Sequence, residues 1–79
     1  MLTAEQVLDA YFLDNRCMLL EIAATLDRLD AARERGRAAT VAGDPRLQKI
    51  YKSLAILADE NSAADRTERL LRLFSDPVE

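Results

Sequence analysis

Apolar side chains in the first third of the chain recur at helical spacing on two sides rather than one. Set out at roughly 100° per residue, Leu8, Tyr11, Phe12, Asn15, Met18, Leu19, Ile22, Leu26 and Leu29 share a broad face whose only amide is Asn15. A narrower stripe almost opposite holds Ala10, Leu13, Cys17, Leu20, Ala24 and Ala31. Two polar strips separate them: Asp9, Arg16, Asp27 and Glu34 on one flank, Asp14, Glu21 and Arg28 on the other. A helix that shows water one whole side would carry a single apolar stripe. This one is built to be covered twice.

Punctuation along the chain places the elements. Thr3 and Gln6 fit a capping box, in which each side chain satisfies the other residue's orphan backbone N–H, and Leu2 and Val7 stand where a hydrophobic staple would. No Gly or Pro interrupts the pattern until Gly36, so the first helix is expected over about 3–35, roughly 45 Å long. The segment RERGRAATVAG follows as a connector, with small residues that would let the helix run past Gly36. Asp44 and Pro45 then form a cap and a first-position proline, and a second helix is expected over 45–59. Asn61 and Ser62 break it. Ser62 with Asp65 makes a second cap pair, leading to a third helix over 63–74 that is supported by the acid-before-base pairs Asp65 with Arg69 and Glu68 with Arg72.

The expected fold is all-α and a single domain over 1–79. The two shorter helices add up to nearly the length of the first, and the simplest compact arrangement folds them back along it. The second would present Leu47, Ile50, Tyr51, Leu54, Leu57 and Ala58, and the third Ala63, Thr67, Leu70, Leu71 and Phe74. They can cover only one face of the long helix. The narrow stripe is then expected to meet a second copy of itself, giving a homodimeric helical bundle. Ala10, Cys17, Ala24 and Ala31 recur every seven residues, and small side chains at that interval allow close backbone approach. In the competing arrangement the later helices straddle the first in a monomer.

Composition narrows the rest. A chain of 79 residues buries only about two-thirds or less of its unfolded surface, so natural proteins of this size often lean on a disulfide, a metal or a partner chain. With one cysteine and no histidine, an intrachain disulfide and the usual zinc sets are excluded, which leaves association. A net charge of −3 disfavours a broad nucleic-acid footprint. No apolar run reaches the ~18 residues of a membrane span, and the MLTAEQ start lacks a signal peptide's basic flank, so a cytoplasmic location is expected.

Candidate chemistry is sparse. Tyr11, Asp14, Asn15, Arg16 and Glu21 form a candidate ligand site around a buried amide, although neighbours in a helix point in several directions and a lone buried amide more simply fixes packing register. Arg33, Arg35 and Arg37 in RERGR form a candidate anion site, for which complementing the carbonyls at a helix end is the plainer explanation. Asp27, Asp30 and Glu34 have the spacing of a carboxylate metal site but face no acid on helix 2 between Pro45 and Leu57, and they read as a solvated face. Cys17 lacks a histidine partner and reads as a small hydrophobe. No catalytic residue, cofactor or metal is expected. The functional expectation is a small helical homodimer acting as an interaction, structural or regulatory module. A ligand-binding or metal-dependent helical enzyme using carboxylates of helix 1, and a nucleic-acid regulator using RERGR, are the competing classes.

Overall fold

The computed structural model describes residues 1–37 and 43–75, with the side chains of Gly36 and Arg37 outside that description. Every regular element among the described residues is helical: α1 (Ala4–Ala32), a π-helical turn (Arg33–Arg37), α2 (Pro45–Ala58) and α3 (Arg66–Ser75). Met1–Gly36 forms one compact unit and Arg37–Glu79 a second.

In the first unit, α1 starts where the cap chemistry places it. Gln6 donates its backbone N–H to Thr3 Oγ1 at 3.1 Å, and Thr3 returns its own N–H to Gln6 Oε1 at 2.9 Å. Those two bonds satisfy donors that the first turn cannot satisfy by itself. The helix then runs 29 residues, about 43 Å. It ends at Ala32 as an α-helix, but the backbone stays helical through Gly36 to Arg37 in a wider π turn. The remainder of the expected connector, residues 38–42, lies outside the described residues.

Exposure along α1 departs from expectation. Leu8, Tyr11, Phe12, Asn15, Met18 and Leu19 of the broad face are exposed, while Ile22, Leu26 and Leu29 are half-buried. The physical reason lies in the unit itself: α1 is its one extended element, and a single helix has no second surface on which to bury a face.

In the second unit α2 and α3 pack against each other. Asp44 caps α2 by accepting the Arg46 N–H at 2.9 Å, and Pro45 occupies the first turn. The Arg46 guanidinium also grips both carboxylate oxygens, with Nε to Oδ1 at 3.1 Å and Nη2 to Oδ2 at 2.7 Å. Those side-chain bonds, followed by the backbone bond, pull the Asp44 carboxyl from its ordinary 3.8 down to about 2. The covered face of α2 keeps Leu47, Ile50 and Leu54 of the expected one, all half-buried, and extends to residues outside it. Ser53, at 9% exposure, is its one buried residue. Lys49, Ile50, Leu54 and Ile56 are half-buried, whereas Tyr51, Leu57 and Ala58 are exposed. Ser53 tolerates burial because its hydroxyl donates to the Lys49 carbonyl at 2.7 Å, so no polar group is left unpaired.

α3 begins later than the expected position 63. Ser62 does pair with Asp65, donating to Oδ1 at 2.8 Å and accepting the Asp65 N–H at 3.4 Å. Between them, however, Ala64 has φ 61°, in the left-handed region, so the helix starts only at Arg66. Its first bond of this kind runs from Arg69 N–H to the Asp65 carbonyl at 3.0 Å. Arg66, Arg69, Leu70 and Leu73 are half-buried, while Ala63, Thr67, Leu71 and Phe74 are exposed. Glu68 and Arg72 form the expected ion pair at 2.6 Å. Arg69 instead reaches Asp59 Oδ2 at 3.2 Å, and Arg66 Nη2 donates to the Asp59 carbonyl. Asp59 also accepts the Asn61 N–H at 3.0 Å. That backbone bond, then the Arg69 side chain, holds the Asp59 carboxyl below the usual carboxylate range. An acid at the C-terminus of α2 opposes the helix dipole, and the two α3 arginines offset it.

Two outcomes follow from this geometry. Ala64→Gly relieves a left-handed alanine and should raise stability by roughly 1 kcal/mol, read as a higher urea midpoint; a lowered midpoint would contradict the left-handed conformation. Asp44 has a folded pKa below its unfolded one, so its contribution is complete above about pH 4 and is lost as pH falls through about 2. Asp44→Asn keeps a cap but discards the ion pair. The gap in melting temperature between wild type and Asp44→Asn should therefore close between pH 4 and pH 2, and a constant gap would refute the assignment.

Candidate functional site

The surface with the most chemistry to offer lies on α1. On the narrow stripe Ala10, Leu13, Cys17, Leu20 and Ala31 are exposed and Ala24 is half-buried. Leu13 and Leu20 stand 65% and 53% open, and Cys17 is a free, exposed thiol. Exposed single leucines are ordinary on protein surfaces. Here they belong to a row of apolar and small residues, and among the described residues no apolar side chain is buried. The α1 stripe is thus not surplus to a core formed elsewhere in those residues.

A shallow apolar recess sits beside the stripe, lined by Phe12, Asn15, Arg16, Leu19 and Leu20. All five belong to α1, so the recess is a groove between neighbouring side chains of one helix.

The candidate ligand site does not assemble. Tyr11, Asp14, Asn15, Arg16 and Glu21 are all exposed, contrary to a buried amide on the broad face. Asn15 and Arg16 meet at the recess, whereas Tyr11 engages Asn15 only through its backbone carbonyl, which accepts from Asn15 Nδ2 at 2.8 Å. Asn15 thereby spends a donor on its own helix, as Thr25 does on the Glu21 carbonyl at 3.0 Å. Such i−4 bonds are a local alternative to a tertiary partner.

The candidate anion site is only partly described. Arg33 is half-buried and Arg35 exposed, while the side chain of Arg37 lies outside the described residues. Arg33 closes α1 through its backbone, donating its N–H to the Leu29 and Asp30 carbonyls. Asp27, Asp30 and Glu34 are exposed, and among the described residues no group of three or more Cys, Asp or Glu side chains is arranged to hold a metal ion.

The feature that sequence reasoning missed is the polar cluster around Asp59. An Asp followed two residues later by Asn is a signal for a side chain that caps a turn. The partnering arginines are seven and ten residues away, which no spacing rule within a helix anticipates.

No protein-family model matches the chain, and no curated protein or solved structure is significantly similar to it.

Because the Asn15 amide is exposed and bonded within its own helix, Asn15→Ala should leave stability unchanged or raise it by up to about 0.7 kcal/mol through helix propensity. Chemical denaturation measures this. A loss above about 1 kcal/mol would show that the amide serves a partner outside α1.

Proposed function

We propose that this chain is a protein-interaction module without catalysis, with a structural or regulatory role, that self-associates through the narrow stripe of α1. The observation that carries the reading is the row of exposed Leu13, Cys17 and Leu20 flanked by Ala10, Ala24 and Ala31 on a 29-residue helix with no buried residue. Removing apolar surface from water is worth about 25 cal/mol per Å², and helices in proteins draw most of their stability from packing an apolar face rather than from propensity. Small side chains bring a partner helix close, and leucines fill the grooves beside them. A second copy is a natural occupant, since a two-fold interface needs one self-complementary surface. The acidic balance of the chain and its exposed, scattered polar groups speak for protein contact over nucleic acid or a small ligand. No described helix is long and apolar enough to cross a membrane, and a free exposed thiol suits a reducing compartment such as the cytoplasm.

Light scattering should give twice the 8.9 kDa chain mass, and Leu20→Lys should weaken association by roughly a hundredfold or more, because each dimer would then bury two unpaired ammonium groups. A wild-type monomer at high micromolar concentration rejects self-association. A Leu20→Lys protein that stays dimeric moves the interface off this stripe.

A further inference from the structure

The charges flanking the stripe point to an antiparallel pairing of two α1 helices about an axis level with Ile22, an inference that rests on self-association through α1. The stripe has a seven-residue period, the repeat that keeps two helices in contact through a left-handed supercoil. Within each repeat a small residue alternates with a larger one: Ala10, Cys17, Ala24 and Ala31 against Leu13, Leu20 and then, from the adjoining polar strip, Asp27.

Orientation follows from that alternation. Parallel helices in register would stack alanine on alanine and leucine on leucine, demanding two different separations along one interface. They would also set Asp27 against its own copy. Antiparallel helices centred on Ile22 place Leu13 against the partner's Ala31 and Leu20 against the partner's Ala24, so each layer has one large and one small side chain. Cys17 then faces the partner's Asp27, and no acid within the layers meets its twin.

The flanks agree with this register. Asp14 lies beside the partner's Arg28, and Arg16 beside the partner's Asp30, and the two-fold axis repeats both pairs. All four side chains are exposed, and none forms an ion pair within the described chain. The one like-charge contact is Glu21 with the partner's Glu21 at the axis. Sliding the helices by one repeat in one direction sets Asp14 against the partner's Glu21 and Asp9 against the partner's Asp30. Sliding them the other way sets Leu13 against residue 38, outside the described residues.

The lone cysteine makes this testable. Antiparallel pairing about Ile22 separates Cys17 from the partner's Cys17 by about ten residues of rise, or roughly 15 Å, well beyond the span of a disulfide. Parallel pairing makes them direct neighbours. The protein is first shown to be dimeric by light scattering, then oxidised with diamide and run on a non-reducing denaturing gel. Wild type should remain uncrosslinked, and Asp27→Cys should convert to covalent dimer. Crosslinking of wild type through Cys17, or of neither protein, overturns the arrangement while leaving self-association standing; a monomer in solution removes both. Charge exchange supplies a readout free of thiols. Asp14→Arg should weaken the dimer by roughly three- to thirtyfold, and adding Arg28→Asp should restore it. Failure of the second change to restore affinity rejects the register.

Discussion

The governing constraint is that a single helix cannot bury its own side chains. α1 carries apolar residues on two opposed faces along about 43 Å, and no element of its own unit lies across either. The exposed leucines of α1 descend from that geometry. The second unit differs. There α2 and α3 share a contact, yet the most covered of its described residues is a serine, and polar links run through Asp59, Arg66 and Arg69. Among the described residues neither unit has the sealed apolar interior from which larger domains derive cooperativity.

Helix existence was legible because it rests on local chemistry. The Thr3 and Gln6 box, the Asp44 and Pro45 start and the Glu68 with Arg72 pair each involve residues within four positions of one another, and each forms as its spacing implies. What escaped was decided by contacts or backbone states that spacing does not encode. Ala64 adopts a left-handed conformation that nothing about alanine advertises. The helix α3 begins only after that residue, and Leu73 and Arg69 are half-buried where Thr67 and Phe74 are exposed. The covered face of α2 pivots on Ser53, a residue that an apolar pattern passes over because its hydroxyl is satisfied within the helix.

The α1 surface was legible as a pattern and only partly as a site. Its stripe is exposed where the periodicity placed it except at Ala24, which is half-buried. The polar candidates fared differently, because Asn15 gained a partner in its own backbone rather than across a cleft. A short polar side chain four residues after a carbonyl always has that option, and composition cannot reveal whether it is taken.

The π turn at Arg33–Arg37 carries a consequence for how far any pairing can extend. A π turn holds more residues than an α turn and is equivalent to slipping an extra residue into the spiral. Residues within the turn fall out of phase with the rows before it. The turn therefore acts as a terminator for the stripe, ending it within a few residues of Ala32. For the proposed pairing of two α1 helices, a stripe with a built-in end favours closed pairs over chains that grow by staggered addition.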